Sequence, residues 1–200
     1  MDRQRFGPRR RFLAGMAGLG VVPFITRTAS GQPAPVPTPA CEDADELTPE
    51  QTSGPFYKPS SPRRSQLREP GTSGVPIRLE GRVLSLGCRP VANALVELWH
   101  ADDAGRADLD GFRFRGHQFT NSAGRYLFET IVPGLYPSRT RHFHIRYQAA
   151  NRPVLTTQLY FPGEPMNARD GLFRSDLLLA VEAGPSSTAR FDAVLHVSSA

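Results

Sequence analysis

Tyr136-Pro137-Ser138-Arg139-Thr140-Arg141-His142-Phe143-His144-Ile145-Arg146-Tyr147, followed closely by Thr157-Gln158-Leu159-Tyr160-Phe161, is the stretch on which the reading of this chain turns. In an extended strand successive side chains point to opposite faces. His142 and His144 therefore share one face, and Phe143 and Ile145 share the other. The phenol of Tyr136 and the guanidinium of Arg139 lie just upstream. Imidazole nitrogen together with hard oxygen is the inventory of a transition-metal site. An exposed polar strand face is the plainer alternative, and the surrounding chain decides between the two.

Outward from this stretch, short alternating segments recur. Ile77, Leu79, Gly81 and Val83 alternate with Arg78, Glu80 and Arg82, and Ala94 to His100 reads as a second strand. Ala101 to Asp110, rich in Asp and Gly, reads as a loop, and Phe112 and Phe114 against Arg113 and Arg115 suggest a short third strand. Asn121-Ser122-Ala123-Gly124 is a turn, Tyr126, Phe128 and Thr130 mark a fourth strand, and Pro133-Gly134 turns the chain toward Tyr136. Val154 to Phe161 and Phe191 to Val197 complete the set, with Ala168 to Leu179 the one place for a helical turn. Short strands at this spacing predict an all-β fold, an antiparallel β-sandwich of about seven or more strands with long loops.

The chain is long enough to bury the core of one domain, and its 19 Pro and 18 Gly suit many turns better than long helices. A formal charge of +5 raises the question of nucleic acid. Arg3, Arg5, Arg9, Arg10, Arg11 and Arg27 against Asp2 already account for that +5, leaving the remainder neutral. Nucleic-acid binding is therefore not expected. Residues 1–32 read as an export signal: a basic start, an apolar run from Phe12 to Ile25, and small residues at Ala29, Ser30 and Gly31. Arg9-Arg10-Arg11-Phe12-Leu13 fits the twin-arginine pattern, a route for proteins exported already folded; a general secretion signal is the alternative. The apolar run is too short for a stable membrane span. The expected location is periplasmic or extracellular.

Residues 33–40 alternate proline with small residues and form a stiff linker, so the domain occupies 41–200. Cys41 and Cys88 are the two cysteines, and in an exported chain they most simply form one disulfide. Closing a loop of about 47 residues would stabilise the fold by roughly 3 to 4 kcal/mol in the chain-entropy model. Leu47 to Tyr57 is dense in turn residues and is expected along the domain surface, where Tyr57 either lines a pocket or covers the core.

Four blocks carry a resemblance. They are Thr48-Pro49-Glu50-Gln51-Thr52 with Gly54-Pro55-Phe56-Tyr57, then Ala94-Leu95-Val96-Glu97-Leu98-Trp99-His100-Ala101-Asp102, then Pro133-Gly134-Leu135-Tyr136-Pro137 with Arg139, His142 and His144, and last Gln158-Leu159-Tyr160-Phe161. Together they resemble the intradiol ring-cleavage dioxygenases, non-haem Fe(III) enzymes that use O2 to open catechols between the two hydroxyl-bearing carbons, giving a muconate-type diacid. The resemblance implies Tyr136, His142 and His144 as iron ligands. A phenolate is a hard, electron-rich donor suited to ferric iron, and neutral imidazoles complete the set without adding charge. It further implies that Arg139 stabilises negative charge on the catechol, that Gln158 hydrogen-bonds near the oxygen site, and that Trp99 and Tyr57 border the substrate pocket. Family members often pair, which makes a homo-oligomer an open expectation.

One position departs from the pattern. The resemblance implies a second tyrosine ligand eight residues after Trp99, and this chain has Ala107 there. One phenolate fewer leaves an additional positive charge on the iron, which raises its reduction potential. Water or hydroxide, Asp108, His100 and His117 are the candidates to replace it. The departure also motivates a rival reading, a β-sandwich that binds a metal or ligand without turnover. A third is a divalent metal held by Tyr136, His142 and His144 that runs other chemistry.

Overall fold

The computed structural model describes residues 46–136, 138–182, 184 and 187–197. The signal, the linker and Cys41 lie outside the described residues. Two sheets form the domain. One has the order β4-β1-β8-β7, with β9 also pairing with β1; the other has the order β3-β2-β5-β6. The strands are β1 Pro76–Ser85, β2 Leu95–Trp99, β3 Arg115–Phe119, β4 Arg125–Ile131, β5 His142–Gln148, β6 Leu155–Tyr160, β7 Ala180–Glu182, β8 Thr188–Arg190 and β9 Ala193–Leu195. Between β6 and β7 lie 3-10 turns at Pro165–Arg169 and Ser175–Leu177; the second falls within Ala168 to Leu179, where a helical turn was expected, and the first begins before that segment.

The expected sandwich is present, and most of its pairings are antiparallel. The exceptions are β1 with β8 and β1 with β9, which run parallel because the C-terminal segment returns alongside β1 in the same direction. Alternation explains the packing. Ile77, Leu79 and Val83 of β1 point inward to meet Val96, Leu98, Phe143, Ile145 and Leu159 of the facing sheet. Gly81 is required where the chain crosses β1: a Cβ there would lie 1.8 Å from the Phe191 carbonyl oxygen. Tyr126 and Tyr147 enter the core with their hydroxyls 3.1 Å apart, and the Tyr126 hydroxyl donates to the Phe191 carbonyl at 2.7 Å, so neither polar tip is orphaned.

The outer face of the β3-β2-β5-β6 sheet is polar in sequence yet buried. His142, His144, Gln158, Trp99 and Arg115 are all at most 3% exposed. Residues 46–57 lie across that face. The Gln51 N–H donates to the Thr156 carbonyl, the Gln158 side chain donates to the Thr52 carbonyl, and Gly54 rests on the His144 ring. This segment follows the domain surface, as its turn residues suggest, and in doing so seals a polar strand face from water. Among the described residues no helix is long and apolar enough to cross a membrane.

Candidate metal centre

One row of residues crosses four strands. Arg115 of β3 pairs with Trp99 of β2, Trp99 with His144 of β5, and His144 with Gln158 of β6. Residues opposite one another in antiparallel strands project to the same face, so the four side chains stand side by side. His142, two residues before His144, joins the same face opposite Tyr160. The Trp99 indole lies flat against the His144 ring, with centroids 5.1 Å apart and planes within 4°.

The two imidazoles converge. Nε2 of His142 and Nε2 of His144 are 3.2 Å apart. The His142 ring donates from Nδ1 to the Thr140 carbonyl at 2.7 Å, which leaves the Nε2 lone pair free. Burial lowers the His142 pKa to about 4. Burial, with the nearby His142 and Arg139 charges, holds His144 well below the ordinary histidine value. Both rings are therefore neutral at pH 7, and the contact is a hydrogen bond donated by His144 Nε2 to the His142 lone pair when no metal is bound, or two lone pairs directed at one cation when it is. Two metal–nitrogen bonds of about 2.1 Å at a right angle would set the nitrogens about 3 Å apart. The observed spacing fits a shared metal ion.

Tyr136 supplies the phenol. It lies on the loop after β4, and Ser138, with φ 64, turns the chain so that the Arg139 N–H donates back to the Tyr136 carbonyl. Its ring is 5.4 Å from that of His142 and stacks on Phe56 at 5.8 Å. The loop is fixed by its neighbour: Gly134 N–H donates to the Asp102 carbonyl at 2.7 Å, and a Cβ at Gly105 would lie 2.1 Å from the Leu135 carbonyl oxygen. Burial raises the Tyr136 pKa, and the Arg115 and Arg139 charges oppose that rise. Among the described residues no group of three or more His, Cys, Asp and Glu could hold a metal ion.

Arg139 and Gln158, the two residues expected to act on substrate and oxygen, meet. Arg139 Nη2 donates to Gln158 Oε1 at 2.6 Å, and its Nε donates to the Asp170 carboxylate at 2.8 and 3.0 Å. Asp170 also accepts from the Thr140 and Leu172 N–H groups. Although burial alone would raise its pKa, these hydrogen bonds hold the carboxyl below its ordinary value. Asp170 is a site residue that sequence reasoning missed, since it lies 31 positions from Arg139 with no motif linking them. Tyr57 covers Trp99 edge-on at 5.1 Å, and its hydroxyl accepts from Arg146.

None of the side chains expected to replace the second tyrosine joins the centre. Asp108 accepts the N–H groups of Asp110, Gly111 and Arg113, tying up its own loop. His100 lies on the opposite strand face, donates to the Ala101 carbonyl and accepts from the Thr130 hydroxyl at 2.6 Å. His117 donates to the Ser61 carbonyl at 2.8 Å. Ala107 is half-buried and brings only a methyl group.

Arg115 is the other residue that escaped the sequence reading. The alternation of Phe112 to Arg115 suggested outward arginines, but Phe114 adopts φ 53 and shifts the phase. β3 therefore starts at Arg115, which is 2% exposed and stands in the polar row. Cys88 lies in the turn after β1, also at positive φ, and its expected partner Cys41 is outside the described residues.

The dioxygenase family model matches residues 52–195, which span both sheets and every residue of the row. The chain belongs to the intradiol ring-cleavage dioxygenases. It is 40% identical over 119 residues to the protocatechuate 3,4-dioxygenase beta chain of Burkholderia cepacia, covering 50% of this chain and 51% of that one. It is 30% identical over 193 residues to the hydroxyquinol 1,2-dioxygenase of Nocardioides simplex, covering 76% of this chain and 65% of that one. The chain thus spans between half and two thirds of these relatives' length. Among solved structures it is similar to the dioxygenase domain of a dioxygenase carbohydrate-binding protein fusion from Streptomyces sp. SirexAA-E, with 51% identity and a TM-score of 0.75, covering 76% of this chain and all of that domain.

Proposed function

We propose that this chain is an exported iron(III) dioxygenase that cleaves a catechol-type ring between its hydroxylated carbons. The observation that carries the proposal is the 3.2 Å approach of two neutral, buried imidazole nitrogens beside the Tyr136 phenol. Bound by Tyr136, His142 and His144, ferric iron would supply a Lewis-acid and redox centre that activates a catechol toward O2. The net reaction adds both oxygen atoms and yields a cis,cis-muconate-type diacid. Both curated relatives carry the names of enzymes acting on hydroxylated aromatics, which supports the substrate class.

The chain's own residues do the positioning. Thr140 fixes the His142 tautomer, Trp99 stacks on the His144 ring, and Gly54 lies against its Cε1 edge. Arg139, oriented by Asp170, places positive charge where an electron-rich ring would develop negative charge. Gln158 links Arg139 to the Thr52 carbonyl, and Phe56 walls the Tyr136 side. The buried row keeps bulk water away, which strengthens each of these electrostatic contacts. Export by the twin-arginine route and a Cys41–Cys88 disulfide belong to the same proposal. Protein loaded with Fe(III) should show a phenolate-to-iron charge-transfer colour and take up O2 with a catechol. Neither signal with any catechol would reject the proposal.

A second reading rests on Ala107, which leaves the metal set one protein donor short. It describes a ligand-binding sandwich without turnover. Protein that purifies without iron and returns a bound catechol unchanged would establish that reading instead.

A further inference from the structure

Arg139 stands in a closed circuit of hydrogen bonds, and two members of that circuit lie on the segment that crosses the polar sheet face. Its Nε donates to the Asp170 carboxylate at 2.8 Å and its Nη2 to Gln158 Oε1 at 2.6 Å. Gln158 Nε2 donates in turn to the Thr52 carbonyl at 3.0 Å. On the other side Asp170 accepts the Leu172 N–H at 3.0 Å, and the Leu172 carbonyl accepts from Gln51 Nε2 at 2.6 Å. Gln51 and Thr52 are neighbours in the chain, so the ring Arg139–Asp170–Leu172–Gln51–Thr52–Gln158 closes.

The Gln51 side chain has both ends engaged. Its Nε2 holds the Leu172 carbonyl, its Oε1 lies 2.9 Å from the Tyr160 hydroxyl, and that hydroxyl is also 2.7 Å from the same carbonyl. The Gln51 N–H donates to the Thr156 carbonyl at 2.8 Å, which anchors the residue to β6. The turn it holds has little else to define it at that point: Gly171 leaves the backbone conformationally free, a Cβ there would meet nothing within 4 Å, and the Leu172 side chain is 40% exposed. Phe173, edge-on to Tyr160 at 5.3 Å, fixes the far end. Leu172 is thus gripped at both of its polar groups, by Asp170 at the N–H and by Gln51 and Tyr160 at the carbonyl. A guanidinium stabilises developing charge only when it is aimed beforehand. The aim that reaches Arg139 through Asp170 depends on where Leu172 is held.

Resting on the function proposed above, we propose that Gln51 is a positioning residue of the reaction: through Leu172 and Asp170 it sets the direction of the Arg139 guanidinium. The segment across the polar face then does more than exclude water. It fixes the charge that stands beside the metal centre, and Gln51 is the residue through which it does so.

The first readout needs neither iron nor turnover. In the metal-free full chain carrying isotope-labelled arginine, the Arg139 Nε–H resonance is identified by its loss in Arg139→Lys. In Gln51→Leu its exchange with water should be at least about tenfold faster than in the parent, with the backbone amides of β5 unchanged. Gln51→Glu at about pH 8 keeps the shape and the acceptor for Tyr160 but offers Leu172 no donor, so it should match Gln51→Leu. It also carries the test if Gln51→Leu fails to fold. The second readout is oxygen uptake with catechol by the iron(III)-loaded full chain. Gln51→Leu should lower kcat by about tenfold and leave KM within about threefold. The same substitution should change the residual kcat of Arg139→Lys by less than about twofold, because its effect passes through Arg139. Unchanged Arg139 exchange in Gln51→Leu, parent-like exchange in Gln51→Glu at that pH, or an undiminished loss of kcat in the Arg139→Lys background overturns the proposal. Faster exchange at Arg139 and in β5 alike makes Gln51 a general strut and also overturns it. A parent without turnover rejects the functional proposal, while the exchange comparison still decides whether Gln51 aims Arg139. Unchanged exchange in an active enzyme rejects this proposal alone.

Discussion

His142 and His144 face each other through Nε2 atoms 3.2 Å apart, with Trp99 stacked on the second ring and the Thr140 carbonyl fixing the first. Without a metal the neutral pair can share one proton in a hydrogen bond, and a metal ion would take that proton's place. His144→Ala is therefore expected to abolish stoichiometric iron binding while leaving the fold intact, since the ring lies on the outer face of the sheet rather than in the core. Metal analysis and circular dichroism of the purified variant check both halves.

Acid should destabilise the metal-free protein in a defined window. Burial lowers the pKa of His100 and of His142 to about 4, and holds His144 well below its ordinary value. The unfolded chain binds protons at these residues near the ordinary value of about 6.5, before the folded chain does. Stability is thus fully present above about pH 6.5 and falls as the pH drops toward 4, by on the order of 3 kcal/mol for each of His100 and His142. Urea unfolding of metal-free protein at pH 7 and pH 5 measures the loss. Equal midpoints would mean that the histidines are not buried in the neutral form.

Asp170→Asn should act on Arg139. Removing the carboxylate leaves a half-buried guanidinium beside the centre without its partner, which is expected to lower stability by about 1 to 3 kcal/mol. Turnover should fall by about tenfold or more as Arg139 loses its aim. Thermal melts and steady-state oxygen uptake on Asp170→Asn and Arg139→Lys provide the comparison; lysine lacks the fork and should not substitute.

Ala107→Tyr should introduce a second phenolate. The expected outcome is a shift in the charge-transfer spectrum, a lower iron reduction potential and faster turnover. No spectral change would place position 107 out of reach of the metal.

Much of this site is legible in the sequence because strand geometry is simple. His142 and His144 share a face by alternation, Phe143 and Ile145 reach the core by the same rule, and the family pattern ties Tyr136, Arg139 and Gln158 to them. What is hidden depends on tertiary placement. Asp170 reaches Arg139 from the turn after Pro165–Arg169, which no spacing rule connects to β5. Arg115 is hidden by the positive φ of Phe114, a backbone change that reverses the apparent phase of β3. The strands β7 and β8 have three residues each, too few for a periodic signal, and the parallel return beside β1 leaves no local trace. Burial of the polar face was likewise illegible, because it depends on residues 46–57 folding back across a sheet whose strands begin at Leu95.

The most direct measurement is oxygen uptake with product analysis on iron(III)-loaded parent protein and on Tyr136→Phe, using catechol as substrate. The predicted result is one O2 consumed per catechol, a muconate-type diacid as product, and loss of both colour and turnover in Tyr136→Phe. A coloured parent that consumes no oxygen, or a Tyr136→Phe variant that retains colour and rate, would contradict the assignment of the centre.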